Sequence, residues 1–221
     1  MNRKDLIRPN ARMLIDVLKQ KIKDGQLVPG QRLIEADIVK ETGASRAHVR
    51  EALQRMEAEG LIQIEEFKGA SIKRLSRDEV SQIYRAREAL EGMATRLFIE
   101  RGVSSEKRQR LLSLQSELNA AALARMVDMY SKANNAFHSF IFEGAGNEYM
   151  ASFLERLQLP IYRLQFRFLF QCEQMGTSNQ DHFAVVDAIL KEDPDAAESA
   201  MRNHVRHGLA EILLLDDSNF A

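Results

Sequence analysis

The chain carries a single cysteine, Cys172. A disulfide framework and a cysteine-built zinc cluster both need several thiols, so neither can organise this fold, and Cys172 reads as a partly buried thiol on a helix. Long apolar runs are equally scarce. The longest stretch of large aliphatics is Ile212 to Leu215, far short of the roughly 18 residues that a membrane span requires. The opening residues, MNRKDLIRPN, contain no apolar signal-peptide core, so the expected location is cytoplasmic, without membrane attachment. No internal repeat or low-complexity segment is present, and the last two thirds show no strand-like alternation.

What is present is an ordinary globular composition, 45% apolar and 29% charged over 221 residues, enough for one or two domains with cores. The net charge of -1 hides an asymmetry. Residues 1–75 hold 15 Lys+Arg against 11 Asp+Glu, and residues 76–221 hold 16 against 21. The first part is therefore the one suited to approach phosphates. Its excess is modest, so two copies on a symmetric site would double the contacts, which argues for a homodimer on double-stranded DNA.

The most informative stretch is SRAHVREALQRMEAEGLIQI, Ser45 to Ile64. Val49, Ala52, Leu53 and Met56 recur at helical spacing, Arg46, Arg50 and Arg55 fall off that stripe, and Ser45 is placed to cap the helix. A short helix glued down on one side, with arginines on its N-terminal half, suits insertion into a DNA major groove. Before it, Ile34 to Glu41 makes a second short helix, joined through Thr42-Gly43-Ala44, giving a helix-turn-helix. After it, Leu61 to Glu65 and Ala70 to Arg74 read as a hairpin joined by Glu66, Phe67, Lys68 and Gly69. Residues 1 to 8 form a loose basic arm and Ala11 to Asp24 an amphipathic helix. The whole is a winged helix-turn-helix domain over residues 1–75.

Ser76 followed by Glu79 is a capping-box signature, so the domain boundary falls at 75/76. Apolar spacing then predicts helices at about 76–101, 105–121, 123–143, 147–172, 179–191 and 195–215, with Pro160 kinking or splitting the fourth. Short links between them imply an antiparallel all-helical bundle over residues 76–221, making the chain mainly α.

Three histidines stand out in this half. His138 shares a stripe with Met126, Tyr130, Asn134, Phe137 and Ile141. His182 lies one turn before Val186 and Ile189, and His204 belongs with Met201, Val205, Gly208 and Ile212. Buried imidazoles need partners. Either each is hydrogen-bonded in the core, or one divalent metal satisfies all three; a thiol-free imidazole set suits zinc or nickel. His48 and His207 match no ligand position and read as solvent-facing, with His48 close to DNA. On the first bundle helix Arg87 falls within the stripe of Ile83, Leu90, Ala94 and Leu97 and needs an anion, either a glutamate of the chain or a ligand carboxylate. Arg163 and Arg167 are surface residues on this reading, and Phe137, Phe140, Phe166, Phe168 and Phe170 ordinary core.

Four motifs in fixed order, PGQRL at 29–33, SRxxVREAL at 45–53, EGLI at 59–62 and KGA at 68–70, resemble the DNA-binding domain of the GntR family of bacterial transcription regulators, in its FadR-like branch. The family usually has Thr-Pro where this chain has Ala47-His48, and Arg where it has Lys68. The bundle resembles the ligand-sensing FCD domain of that branch. The resemblance implies DNA contacts by Ser45, Arg46, Arg50, Lys68 and Gly69, and a metal held by His138, His182 and His204, with Asn134 where the family commonly has aspartate. A carboxamide brings no negative charge, so the metal would be held less tightly. It also implies a small organic acid as effector, for which Arg87, from its place on the apolar stripe, is the candidate contact.

Three functions of different classes follow: a metabolite-responsive transcription regulator, a metal-dependent hydrolase using an open metal position, and a constitutive DNA-binding dimer whose histidines are structural. The hydrolase lacks a general base, since Glu143 and Asp181 show no inward spacing, and it leaves the DNA-binding half unexplained.

Overall fold

A computed structural model describes residues 9–23, 25–169 and 173–221, without the side chains of 159, 162–169, 173 and 174. Cys172, Phe170, residues 1–8 and the side chains of Arg163, Phe166, Arg167 and Phe168 therefore lie outside the described residues. The chain divides into two compact units after Leu75.

The first unit contains α1 (Ala11–Lys23), β1 (Arg32–Leu33), α2 (Glu35–Thr42), α3 (Arg46–Ala58), β2 (Ile62–Glu65) and β3 (Gly69–Ile72). Leu14, Ile15, Leu18 and Ile22 of α1 meet Val49, Ala52, Leu53 and Met56 of α3, all under 10% exposed, and this apolar seam is the domain's core. Val17 of α1 is exposed, as is Ile34, which ends up as the residue before α2. Gly43 closes α2 in the left-handed region (φ 72°), its N–H donating to the Val39 carbonyl; a β-carbon is disfavoured there, which is why the turn between α2 and α3 needs glycine. Ser45 then caps α3, its hydroxyl accepting from the His48 N–H at 3.2 Å, an arrangement worth about 1 kcal/mol.

The wing is a three-stranded antiparallel sheet in the order β1-β3-β2, with Arg32 opposite Ser71 and Glu65 opposite Gly69. Two residues are too few to show an alternating pattern, so β1 is invisible in the sequence. The wing turn is closed by the Lys68 N–H donating to the Glu65 carbonyl at 3.1 Å. Its third residue is Phe67 at φ 64°, where glycine or asparagine is usual, and a bulky L-residue there costs about 1–2 kcal/mol.

The second unit is a bundle of α4 (Arg77–Glu100), α5 (Ser105–Leu123), α6 (Val127–Gly144), α7 (Glu148–Leu169), α8 (Glu173–Leu190) and α9 (Pro194–Ile212). Ser76 and Glu79 form the capping box that the sequence suggested. The most extensive pairing joins α4 to α9. Gly92 makes this approach possible, since a β-carbon there would lie 2.8 Å from Arg202 Cγ. The helix α7 runs through Pro160 without splitting. The helix α8 begins at Glu173 rather than 179, because Ser178 and Asn179, which look like loop residues, are helical and hydrogen-bonded to Tyr130 and Gln115. Along α4 the buried face is Val80, Tyr84, Arg87, Glu91, Ala94, Thr95 and Phe98, so the expected stripe of Ile83, Leu90 and Leu97 is displaced to half-buried positions.

Candidate nucleic-acid interface and metal centre

In the first unit, Arg46 is exposed on the first turn of α3 and makes no ion pair among the described residues. Arg50, one turn on, is 66% exposed, and its Nε donates to both oxygens of Glu35, at 3.2 and 3.0 Å. That grip fixes the stem of the guanidinium while its two terminal nitrogens have no hydrogen-bond partner among the described residues, the edge that can address a guanine bidentately. Arg50, Leu53 and Gln54 of α3 and Lys68, Gly69 and Ala70 of the wing line one concavity of about 460 Å³, so recognition helix and wing lie side by side. Lys68 is exposed and bonded to Glu65 at 2.7 Å, which lowers the Glu65 pKa. His48 is not solvent-facing: it is half-buried, its Nδ1 3.2 Å from the carbonyl of Pro9, two residues before α1.

In the second unit, α6, α8 and α9 bring His138, His182 and His204 together, with one nitrogen of each within 4.8 Å of the others. His138 Nε2 and His204 Nε2 are 3.2 Å apart. Two ligands of one zinc ion, each about 2.0–2.1 Å from it, sit roughly 2.9–3.4 Å from each other across octahedral to tetrahedral angles. The observed spacing fits.

The opposite nitrogens face polar groups, though only that of His182 makes a hydrogen bond among the described residues. Nδ1 of His138 lies 2.9 Å from Glu91 Oε2, Nδ1 of His182 lies 3.3 Å from the Tyr130 hydroxyl, and Nδ1 of His204 lies 3.7 Å from Asp181 Oδ2. Tyr130 in turn donates to Ser178 Oγ at 3.0 Å. Such outer contacts hold metal-binding imidazoles in orientation and tautomer. Nε2 of His182 is buried and has no hydrogen-bond partner among the described residues, the signature of a donor atom awaiting an acceptor of its lone pair. Burial holds the His182 pKa well below the usual imidazole value, with the neighbouring imidazoles adding to the effect. Burial also lowers His204, against an opposing pull from Asp181. Both favour the neutral, ligating form. These residues fit a divalent ion.

Arg87 and Glu91 complete the site from α4. They are 3% and 0% exposed, and Arg87 Nε donates to Glu91 Oε1 at 2.7 Å. Glu91 thus lies between Arg87, which it accepts from through Oε1, and His138, whose Nδ1 is 2.9 Å from its Oε2. Burial would raise the Glu91 pKa, but Arg87, His138 and His204 together bring it down to about 2. Arg87 Nη1 is buried without a partner among the described residues, and the guanidinium lies over the Tyr84 ring at 4.7 Å. Asn134, one turn before His138, is half-buried and makes no hydrogen bond to the histidines among the described residues.

Sequence reading missed Glu91 and misjudged Asp181. Glu91 stands at i+4 from Arg87, the spacing at which a helix pairs a buried cation with its anion, so a signal existed. Asp181 shows no inward spacing along α8. Its target is His204 on α9, with His207 Nδ1 also bonded to it at 2.9 Å, a link that only tertiary structure reveals.

This geometry defines a winged helix-turn-helix protein with an all-helical second domain. Residues 10–72 match the bacterial regulatory proteins of the gntR family and residues 82–207 match the FCD domain. The chain belongs to the GntR family, in its FadR-like branch, and is a DNA-binding transcriptional regulator rather than an enzyme. It is 29% identical over 195 residues to the HTH-type transcriptional repressor GlaR of Escherichia coli K12, covering 85% of this chain and 89% of that protein. It is also 29% identical to the repressor NanR of Citrobacter rodentium, covering 90% and 85%. Among solved structures, E. coli McbR/YncC shares the fold at TM-score 0.79 and 19% identity, over 92% of this chain and 96% of that one. A structure described as the metal-free FCD domain of TM0439 matches at TM-score 0.54 and 17% identity, over 63% and 94%. No helix among the described residues is long and apolar enough to cross a membrane.

Proposed function

We propose that the protein binds a near-palindromic operator as a homodimer and releases or rearranges on it when a small carboxylate metabolite enters the bundle beside a divalent metal, zinc or nickel. The observation that carries this reading is the convergence of three imidazoles, two of them (His182 and His204) held towards the neutral form by burial, with a buried arginine whose Nη1 has no partner among the described residues. His138, His182 and His204 would hold the ion, with Asn134 a weak fourth ligand. A bound ion would supply positive charge and an open coordination position for a carboxylate oxygen.

The chain's own residues do the rest. Arg87 offers Nη1 to the acid while Glu91 keeps its Nε, so the guanidinium is already oriented before the effector arrives. Glu91 also fixes His138, which makes any shift of Arg87 felt at the metal-binding imidazole. In the other unit, Ser45 sets the start of α3, Arg46 and Arg50 reach bases or phosphates, and Lys68 and Gly69 seat the wing. To move the operator equilibrium from mostly bound to mostly free, the acid must favour one arrangement by several kcal/mol.

The test is a titration of protein bound to a duplex enriched from a random-sequence pool, using sugar acids, hydroxy acids and dicarboxylates, in protein loaded with zinc or nickel and in protein stripped with chelator. A response that needs the metal supports the reading; one that survives stripping places the effector elsewhere. No uptake of zinc or nickel by elemental analysis would remove the metal, and failure to enrich any duplex would remove the operator.

A further inference from the structure

The tip of the wing carries an oddity that the proposed operator contacts do not use. Phe67 is 98% exposed, above every other exposed large hydrophobic side chain among the described residues. It also holds a positive φ of 64°, a conformation that glycine or asparagine would adopt without strain. Nothing among the described residues covers the ring, so their packing does not account for it. Its neighbours are polar: Glu65 and Lys68 are paired at 2.7 Å and Glu66 is exposed.

We propose that Phe67 is an apolar wedge that inserts at a base step in the minor groove next to the major groove occupied by α3. This rests on the operator-binding reading above. The shared concavity of α3 and the wing puts the hairpin beside the recognition helix, so a duplex that seats one in a major groove presents the flanking minor groove to the other. Two glutamates against one lysine at the tip give the wing little electrostatic attraction to phosphate, which leaves the ring to supply the contact. Phenylalanine is among the side chains that wedge between base pairs and kink DNA from the minor groove. The carboxylates narrow the choice of sequence. A-tracts, with a narrow and strongly negative groove, repel them, whereas TA and CA steps unstack readily and open. The structure therefore assigns a preference for a flexible pyrimidine–purine step at the wing position of each half-site.

The experiment uses the full chain and the duplex enriched by the wild type, with 2-aminopurine placed beside the step nearest the wing. Wild type should raise the 2-aminopurine fluorescence on binding. Phe67→Gly and Phe67→Asn, which accept the positive φ, should melt at the same or a higher temperature yet bind about 10-fold more weakly and lose the fluorescence rise. Because no charge is removed, the slope of log affinity against log salt should stay as in wild type. Phe67→Leu should keep both affinity and signal. Replacing the step by an A-tract should weaken wild type and leave Phe67→Gly unaffected. Full affinity and signal in Phe67→Gly overturn the wedge while leaving operator binding in place; a pool from which no duplex is enriched overturns both.

Discussion

The winged-helix unit keeps Arg46 and Arg50 in water, Arg46 without an ion pair among the described residues and Arg50 tied to Glu35, whereas the helical unit takes an arginine, a glutamate and three histidines out of water and gathers them. The two arrangements suit different ligands. A polyanion that arrives from solvent needs charges already at the surface, and surface pairs such as Arg50–Glu35 are weak enough to yield to it. A small acid that must be sensed internally needs groups whose state is set by a few fixed neighbours. Stability should therefore depend steeply on the buried set and barely on the exposed one.

The largest effect is expected at Glu91. Its replacement by alanine strands Arg87 and leaves His138 Nδ1 without its carboxylate, and breaking a buried pair costs about 3–5 kcal/mol. Urea unfolding of the second unit should register that loss, and a change under 1 kcal/mol would mean that Arg87 finds another anion.

Acid should separate the units next. Glu91 has a folded pKa of about 2 against 4.5 unfolded, so its contribution is complete above pH 4.5 and is lost as pH falls towards 2. His182 is lowered well below 6.5, so below that pH the unfolded chain takes up a proton that the folded one refuses, and stability again falls with pH. Chelator-stripped protein should thus lose stability in its helical unit in two windows, below about 6.5 and below 4.5. Melting curves that stay flat from pH 7 to 5 would contradict the buried state of His182.

A smaller effect follows from Asp181→Ala, which frees His204 Nδ1 from its carboxylate. Loss of such an outer partner typically weakens metal binding 10- to 100-fold. Competition with a zinc chelator measures it; unchanged affinity would leave Asp181 with no part in the site. Asn134→Asp should move affinity the other way.

The smallest change in stability belongs to Glu35→Ala, under about 1 kcal/mol for an exposed pair. Its effect on DNA should be qualitative instead. Removing a carboxylate beside phosphates raises affinity for random duplexes, while an unheld Arg50 discriminates less well at its base. Competition between the enriched duplex and random DNA distinguishes this from a surface pair of no consequence, which would leave the ratio unchanged.

The same contrast explains what the sequence made legible. The first unit acts through local patterns: the Ser45 cap, the α3 stripe and the Gly43 turn each occupy a few consecutive residues, and all appear in the structure. What escaped there was β1, two residues long, together with the exposure of Val17 and Ile34 and the packing of His48 against Pro9. In the bundle, helix existence and the inward histidines could be read from periodicity, and so could the anion demand of Arg87. The network joining them could not. Glu91 touches α6, Asp181 touches α9, and Tyr130 and Ser178 meet across α6 and α8, all contacts between residues far apart in the chain. The late start predicted for α8 has the same origin, since Ser178 and Asn179 are helical because tertiary hydrogen bonds outweigh their local preference for loops.

Arg77, at the first turn of α4, reaches residues following α9: its guanidinium donates to the carbonyls of Leu213 and Leu215, pairs with Asp217 at 2.8 Å, and stacks on Phe220 at 4.2 Å. This has a kinetic meaning. The clamp joins residues separated by more than 130 positions, and the principal helix pair of the bundle, α4 with α9, joins residues such as Arg96 and Glu198, 102 apart, and Glu88 and Arg206, 118 apart. Contacts so distant in sequence close slowly, after local ones. The winged-helix unit can be complete while its partner is still assembling, and the histidine set, drawn from α6, α8 and α9, exists only once α9 has docked. A nascent chain would thus acquire its DNA-reading surface before the site proposed to govern it, and metal capture would mark the last step of folding rather than the first.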